Sequence, residues 1–508
     1  MLKNIIIFAL FANFAKAQNL NRFWIFGDSC GIDFANPNFP LPIQSGMDGQ
    51  GSCSNIADNN GKLKLYTWNQ SGIDDSVSTI YNRNDTVVKN GTRLCGGDLY
   101  NQNVIIPLNK FDTAYYIFHQ GILTTDGLYF TKIIFNSTDS LGIVTSKNNN
   151  ILQHRLGDCL TAVKHGNGRD WWIITKYSDF NSPNFYNRFF AFQQVQDSLY
   201  LPLIQDFNDA TDVDFQKIIW HPSYNKFMLI NLRGYIAEFN FDRCTGLITK
   251  NKLFSSEFIP GPNTHNFFWH GAYSKNGNIF YASTTAYFSI MPKGYLLQFN
   301  LLDSNPMQTV DTIDTWDKPI GTGALLLAPD DKIYFARAYE SQSAFFTYPY
   351  ADSMRNYINE NLSVINEPDS LGVKCDYQPF SFYLGGKRTY YGLPNNPNYE
   401  LGPLLGSPCD TLSANLTPGP SPVGEGSLFL TYISVWEKLF VNASGLKGKN
   451  VTVSIYDGRG SLMFEVQSLK SNAGYFTLDV DCGGWSAGLY VLHLETDKEQ
   501  LSKKFIKE

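Results

Sequence analysis

The stretch WHGAYSKNGNIFYAST, residues 269–284, decides the fold of most of this chain. A short apolar run leads into a polar turn that contains Asn-Gly, and a second run rich in aromatic and β-branched residues follows. Asn-Gly supplies the positive φ values that a tight turn between antiparallel strands requires. The stretch therefore predicts a hairpin of two β-strands.

The same pattern occurs seven times between residues 54 and 393. Successive turn markers are 51 to 57 residues apart, and they are Gly61, Asp112, Gly168, Asn225, Gly277, Asp331 and Gly386. A period near 50 leaves room for two further strands in each copy, as in the four-stranded blades of a β-propeller. We therefore expect a seven-bladed β-propeller over residues 18–406, with strands from both ends in the closing blade. An irregular pair of β-sandwiches is the alternative.

Composition supports an extracellular all-β chain. Aromatic residues make up 15% of the 508 residues and charged residues only 17%. The net charge is −6, and no basic patch stands out, so we expect neither nucleic acid nor an anionic membrane surface as a partner.

The first 17 residues have the features of a secretory signal peptide. A lysine precedes the apolar run IIIFALFANF, and Ala-Lys-Ala ends at Ala17, where we expect cleavage. The run is too short for a membrane span, and no later run approaches the required length of roughly 18 apolar residues. We expect export through the periplasm and no transmembrane segment.

Eight cysteines are scattered along the chain without a Cys-x-x-Cys pair. No histidine lies at metal-ligand spacing from them, so a zinc site has little support, and we expect no cofactor. Disulfides suit an exported protein, but the spacing selects no pairing. Buried free thiols are the alternative.

The composition changes near the C-terminus. Residues 407–427 are rich in Pro, Gly and Ser and predict a linker. Residues 428–508 contain short strands, and apolar residues alternate with other residues in NVTVSIYD. We expect a small immunoglobulin-like β-sandwich.

The last 75 residues or so resemble a type A C-terminal sorting domain of the type IX secretion system of Bacteroidetes. That family has a Tyr-Asp-x-x-Gly turn, a Gly-x-Tyr strand and a basic final strand in this order. The Pro-Asn-Pro opening usual in the family is missing, which leaves the first strand uncertain. The resemblance implies the type IX machinery as a partner and a sorting signal at Tyr456, Asp457, Gly460, Gly488, Tyr490, Lys503, Lys504 and Lys507.

The N-terminal segment is similar to a class of exported Bacteroidetes propellers. This resemblance implies a fold and an export route, to secretion or to the cell surface, but no activity. The matching residues are Trp24, Phe26, Gly27, Gly31, Asp33, Phe34, Asp58, Gly61, Tyr81, Asn82 and Arg83.

Gly-Asp-Ser at residues 27–29 also resembles the first block of the GDSL esterases, which would make Ser29 a nucleophile. Such an enzyme needs an Asp-x-x-His base, and none of the seven histidines has an aspartate three residues before it. We therefore expect Ser29 to be a turn residue.

Two other residue sets are candidates for a site in the propeller channel. His221 and His270 both follow a tryptophan and occupy corresponding places in two repeats, where they either bind a metal or sugar or hydrogen-bond a neighbouring blade. Asp33, Asp58 and Asp330 come from separate repeats and could converge. No linear catalytic motif emerges, so we expect a non-catalytic module that binds a surface glycan or a protein. The alternative is a hydrolase or lyase with its active site at the channel mouth.

Overall fold

The computed structural model describes most of the chain. The described ranges are 20–68, 79–96, 101–108, 111–121, 127–178, 187–207, 215–232, 234–255, 268–285, 293–340, 351–410, 427–433, 437–444, 446, 450–470 and 476–507. The predicted leader with Ala17, and most of the predicted linker, lie outside them. Contacts divide the chain into two units, Met1–Asp197 with Leu201–Asp410, and Thr411–Glu508 with Ser198–Tyr200.

The first unit is built from antiparallel meanders of three or four short strands. The first meander contains β1 (Phe23–Phe26), β2 (Asp28–Asp33) and β3 (Leu41–Asp48). The second contains β4 (Cys53–Ala57), β5 (Leu63–Trp68), β6 (Thr79–Asn82) and β7 (Val87–Thr92). The third contains β8 (Asn103–Pro107), β9 (Ala114–Gln120), β10 (Leu128–Ile134) and β11 (Ile143–Leu152). A parallel bridge between Lys89 and Ile143 joins the outer strands of the second and third meanders into one sheet.

The remaining meanders of this unit follow the same order. The next contains β12 (Thr161–Lys164), β13 (Trp171–Lys176), β14 (Asn187–Val195) and β16 (Leu203–Phe207), and β15 (Ser198–Leu199) lies between the last two in the chain. Then come β17 (Gln216–Trp220), β18 (Lys226–Asn231), β19 (Ile236–Phe241) and β20 (Ile248–Ser255). They are followed by β21 (Phe268–Tyr273), β22 (Ile279–Thr284), β23 (Lys293–Asn300) and β24 (Asp311–Asp317). The last meander contains β25 (Leu325–Leu327), β26 (Ile333–Phe335), β27 (Asn361–Ile365) and β28 (Tyr377–Tyr383).

Neighbouring meanders are in contact around the unit. The first and second share a hydrophobic cluster, the second and third share a sheet, and Gln120 of β9 donates to the Gly157 carbonyl just before β12. Phe189 of β14 meets Phe239 of β19 with ring centroids 5.4 Å apart, and similar clusters join β17–β20 to β21–β24 and β21–β24 to β25–β28. The last meander packs on the first, where Trp24 of β1 meets Tyr334 of β26 at 5.7 Å. A series of sheets in which the last packs on the first is a ring, so this unit is a β-propeller.

The ring is closed by residues from both ends of the unit, as the sequence predicted. Residues 388–399, which we call the closing segment, lie beside the N-terminal part of the first meander. Arg388 forms a β-bridge with Asp28, and Leu20 at the other end donates its N–H to Glu400. The closing segment therefore connects the two ends of the ring.

Six of the seven sequence repeats are hairpins between the first two strands of a meander. Six of the seven markers have positive φ as predicted, and the exception is the 215–231 repeat, where Tyr224 (φ 55°) rather than Asn225 has it. Gly386 follows β28 and precedes the closing segment, so the seventh repeat is not a hairpin of this kind.

Among the described residues, the helices are two 3₁₀ turns, Asp352–Met354 and Gly372–Cys375. No described helix is long and apolar enough to cross a membrane.

One disulfide joins Cys244 to Cys409. The other six cysteines are free, and all except Cys95 are buried. Disulfide formation and buried thiols, the two alternatives left by the sequence, therefore both occur among the eight cysteines. Cys409 lies within the range predicted as a linker, and Leu404 just before it donates its N–H to the Gly166 carbonyl at 2.8 Å.

The second unit consists of two antiparallel sheets. One has the order β29 (Ser427–Ile433), β30 (Lys438–Ser444) and β33 (Phe476–Asp481). The other has the order β32 (Leu462–Lys470), β31 (Asn450–Asp457), β34 (Gly488–Thr496) and β35 (Gln500–Lys507). Alternate residues of strands from both sheets, including Val441, Val453 and Leu492, share one core between them.

Candidate functional site

The closing segment crosses the axis of the propeller. The Asn395 side-chain amide donates to the carbonyl of Asn103 at 2.9 Å and to that of Leu160 at 2.8 Å. Its own backbone N–H donates to the Cys53 carbonyl. These three acceptors belong to the first strands of three successive meanders or immediately precede them, so the segment leaves the edge of the ring and spans the channel.

On one side of the crossing segment lies a cavity of about 290 Å³, which we call the central cavity. Strands β17, β21 and β25 form one wall, and residues 393–398 form the opposite wall. Its aromatic lining residues are Trp24, Trp220, Tyr224 and Tyr273, and its side-chain amides are those of Asn21, Asn101, Asn395, Asn396 and Asn398. The described lining contains no lysine or arginine and one carboxylate, that of Asp331.

Trp220 is held in place at the end of β17. Its indole N–H donates to the Thr161 hydroxyl at 2.9 Å, and its ring packs edge-on against Phe227 and Phe241, each at 5.3 Å. Tyr224 follows in the turn, with its ring 6.2 Å from that of Trp220. Burial raises the pKa of Tyr224 to about 12, although a hydrogen bond with Asn398 acts in the opposite direction. The aromatic wall is thus pre-formed.

His270 lines the interior of the central cavity and is 6% exposed. Its Nδ1 accepts the N–H of Leu325 at 3.3 Å, which links β21 to β25. Burial, and secondarily the charge of Lys217, lower the pKa of His270 to about 3. The imidazole is therefore neutral at physiological pH.

The cation near His270 belongs to a buried ion pair. Lys217 of β17 pairs with Asp158, and their side chains are 3% and 0% exposed. The Asp158 carboxylate also accepts the N–H of Gln216 at 2.9 Å. This pair links two neighbouring meanders next to the channel.

The two histidines singled out from the sequence do not occupy corresponding places. His221 lies in the turn after β17, whereas His270 lies within β21. His221 hydrogen-bonds the backbone of Gly277 in the next meander, which is the structural role that the sequence left open. Only His270 lines the cavity.

The three acidic candidates do not converge. Asp33 pairs with Arg22 at 2.6 Å, Asp58 caps its own turn by accepting the Asn60 N–H, and Asp330 accepts the Tyr334 hydroxyl. The acid at the cavity is the neighbouring residue, Asp331, which is 56% exposed and paired with Lys275. Sequence reasoning missed it because both aspartates of the turn fit equally well.

Ser29 lies within β2 rather than in the turn that the sequence predicted. It has φ 61° at a bulge between β2 and β3, and its hydroxyl donates to Asp28. Asp28 in turn pairs with Arg355 and Arg388 at 2.9 and 2.8 Å. No histidine takes part in this cluster, and the described residues contain no group of acids, cysteines and histidines suited to a metal.

The predicted sorting residues lie in two places in the second unit. Tyr456 and Asp457 end β31, and the Asp457 carboxylate accepts the N–H groups of Arg459 and Ser461 around the turn that contains Gly460 (φ 84°). These hydrogen bonds lower the pKa of Asp457.

Tyr490 follows Gly488 on β34 and is buried, with its hydroxyl bonded to the Ser486 carbonyl at 2.6 Å. Lys503 and Lys504 are exposed on β35. Lys507 is buried instead, and its ammonium donates to the carbonyls of Cys482 and Trp485. Lys507 therefore differs from Lys503 and Lys504 in being part of the buried structure of the domain.

Comparisons with known proteins bear most directly on the second unit. Residues 436–508 match a family described as the secretion system C-terminal sorting domain. No curated protein matches the chain.

Three solved structures illustrate what the chain is similar to. The Dos1 propeller is 13% identical, with a TM-score of 0.36 over 65% of this chain and 70% of that one. A quinonprotein alcohol dehydrogenase-like protein from Bacteroides thetaiotaomicron is 10% identical, with a TM-score of 0.37 over 68% and 72%. PorZ, a surface component of the type IX secretion system of Porphyromonas gingivalis, is 10% identical, with a TM-score of 0.21 over 96% and 75%.

The propeller assignment rests on the ring of packed sheets, and the family match confirms the resemblance of the C-terminal segment. Residues 436–508 are a sorting domain of the type IX secretion system, which implies export of the propeller that precedes it.

Proposed function

We propose that the protein is a non-catalytic binding module, secreted or held at the cell surface, whose ligand is a glycan or a protein. The observation that carries this proposal is the lining of the central cavity, where aromatic and amide side chains surround one carboxylate among the described residues. Hydrolysis of a glycoside generally requires two carboxyl groups on either side of the bond. A neutral His270 fixed between two strands supplies no second acid.

We also propose that the ring has seven blades. Six meanders each begin with an inner strand and a hairpin turn, and the seventh position is filled by β1–β3 with the closing segment. For the second unit, three plus four antiparallel strands suit an immunoglobulin-like sandwich. The proposed divisions remain a leader over 1–17, a propeller over 18–406, a linker over 407–427 and a sorting domain over 428–508, with Ser407–Asp410 tied to the propeller by Cys409.

Export is proposed to begin with cleavage after Ala17 and passage into the periplasm, followed by sorting across the outer membrane through the C-terminal domain. Truncation of residues 503–508 should leave the protein in the periplasm. Because this truncation also removes the buried Lys507, the double variant K503A/K504A separates sorting from folding. Cell fractionation with antibody detection measures the outcome. If both altered chains reach the surface at wild-type levels, the proposed sorting role of these lysines is wrong.

Binding and catalysis are distinguished by incubating the mature protein with a panel of polysaccharides and extracellular proteins. Binding is measured by biolayer interferometry, and the recovered ligand is analysed by mass spectrometry. We expect saturable binding and a chemically unchanged ligand. Turnover that disappears in Asp331→Asn but persists in Asp352→Asn, a paired aspartate outside the cavity, would establish the hydrolase or lyase alternative.

A further inference from the structure

We infer that the central cavity binds the end of a neutral saccharide chain, an inference that rests on the binding function proposed above. Three features of the cavity carry it: the absence of cations from its described lining, its pre-formed aromatic wall and its small volume.

The charges of the lining favour a neutral ligand. Among the described lining residues no lysine or arginine is present to pair with a carboxylate, sulfate or phosphate. The single acid, Asp331, lies in a turn where it is 56% exposed and paired with Lys275 at 2.6 Å, so this lysine already has its counter-charge. An anionic ligand would be desolvated without a counter-charge, which is costly.

Side-chain amides make up the polar part of the lining. An amide presents a donor and an acceptor side by side, which matches pairs of adjacent hydroxyl groups on a sugar ring. Asn396 and Asn398 are held by the protein, since Asn396 accepts the Asn55 N–H at 2.9 Å and Asn398 accepts the Glu400 N–H at 3.0 Å. Polar groups that are already oriented lose little conformational entropy on binding.

Trp220 and Tyr224 supply an apolar surface against which the C–H face of a sugar can pack. The indole is fixed by its hydrogen bond to Thr161, so its orientation does not depend on the ligand. This combination of a rigid aromatic face and neighbouring amides is a fit for carbohydrate rather than for a purely apolar ligand.

The size and shape indicate a chain end. A volume of 290 Å³ lies at the lower limit of the usual range for ligand pockets, about 300 to 1,000 Å³. Asn395 bonds to the carbonyls of Asn103 and Leu160 beside the cavity, and these contacts narrow the space that a longer chain would need. The cavity therefore accommodates one or two sugar units.

The test uses the mature full chain and saturation-transfer-difference NMR. The probes are glucose, galactose, mannose and N-acetylglucosamine with their 1,4-linked disaccharides, and glucuronic acid and a neutral tripeptide serve as competing classes. We expect at least one neutral sugar to bind and the two competing classes not to bind. Trp220→Phe should weaken that binding about tenfold, and Asp331→Asn about fivefold.

Trp269→Phe and Asp352→Asn are the matched controls, because these residues lie outside the cavity lining, and they should leave the affinity unchanged. Asp331 is largely exposed, so its variant keeps the test independent of any folding defect in Trp220→Phe. Failure of every neutral sugar to bind, preference for glucuronic acid or the tripeptide, or equal effects in the control variants would overturn the inference. Capture of a protein ligand without sugar binding would refute the inference alone, whereas consumption of a sugar would refute the proposed function.

Discussion

Replacement of Lys217 by methionine should destabilise the propeller because it leaves the Asp158 carboxylate buried without its cation. The two side chains are 3% and 0% exposed, so water cannot replace the lost ammonium. Burial raises the pKa of Asp158 to about 6 even in the presence of Lys217, whose charge acts to lower it. Burial therefore disfavours the charged form of Asp158 even in the wild-type pair.

Removing one partner of a buried ion pair costs about 3 to 5 kcal/mol. The first unit has 407 residues, of which roughly 390 follow the predicted leader. An unfolding entropy of roughly 2.1 cal/mol/K per residue then gives about 0.8 kcal/mol/K for cooperative unfolding. The expected decrease in the melting temperature is then about 4 to 6 °C. Differential scanning calorimetry at neutral pH measures it.

The pH dependence gives the variants opposite signatures. In Lys217→Met the Asp158 pKa rises further above its unfolded value, so the stability deficit grows as pH increases toward neutrality and shrinks toward pH 5. In Asp158→Asn the Lys217 ammonium loses its counter-charge, and burial already lowers the pKa of Lys217. That deficit is present at low pH and shrinks as pH rises through the lowered pKa.

Lys293→Met is the control, since Lys293 forms a solvent-exposed pair with Asp317 and such pairs contribute about 0 to 1 kcal/mol. The double variant K217M/D158L, which removes both charges, should recover most of the lost stability. A shift below about 1 °C in Lys217→Met, or the same pH trend in both single variants, would refute the reasoning.

Three further predictions concern other buried contacts. Cys244→Ser removes a disulfide that spans 165 residues and should lower the free energy of unfolding by about 2 to 5 kcal/mol. Reductant should lower the melting temperature of the wild-type protein but not that of the variant. Arg337 is buried, with its guanidinium 3.9 Å from the centre of the Trp316 ring. Arg337→Lys should lower the free energy of unfolding by about 2 kcal/mol because lysine cannot stack on the ring. An unchanged midpoint in chemical denaturation would contradict this account. Lys507→Met should lower the stability of the sorting domain by about 2 kcal/mol because the carbonyls of Cys482 and Trp485 lose their donor, whereas Lys504→Met should leave it unchanged. Equal hydrogen-exchange protection in the two variants would contradict this prediction.

The hairpins of the propeller could be predicted because turn chemistry is local. Gly61, Gly168 and Gly277 have the positive φ values that their turns require, and each lies where the sequence period places it. One marker is shifted by a residue. Asparagine adopts positive φ more readily than tyrosine, so the sequence indicated Asn225, but Tyr224 has the positive φ in the structure. Packing of Tyr224 beside the Trp220 ring outweighs the local preference.

The cavity could not be predicted because its walls come from distant parts of the chain. The repeated Trp-His pair suggested that His221 and His270 are equivalent, but one pair ends its strand and the other begins it. Both tryptophans lie in apolar runs, so the sequence pattern does not show whether a Trp-His pair stands at the start or at the end of its strand. Similarly, Asp330 and Asp331 are adjacent in one turn, and only the three-dimensional path of that turn places Asp331 at the cavity.

The closing segment connects ring closure to the formation of the site. Residues 393–398 complete one wall of the central cavity, while Arg388 at the start of the same segment bonds Asp28 to seal the ring. A chain that ends before residue 388 would lack both the seal and that wall. The Arg388–Asp28 contact joins residues 360 positions apart and the Asn395–Asn103 contact joins residues 292 apart, so we expect both to form late in folding compared with the local hairpins. The cavity is consequently a property of the closed ring, and the Cys244–Cys409 disulfide ties the chain just beyond the segment to the turn between β19 and β20.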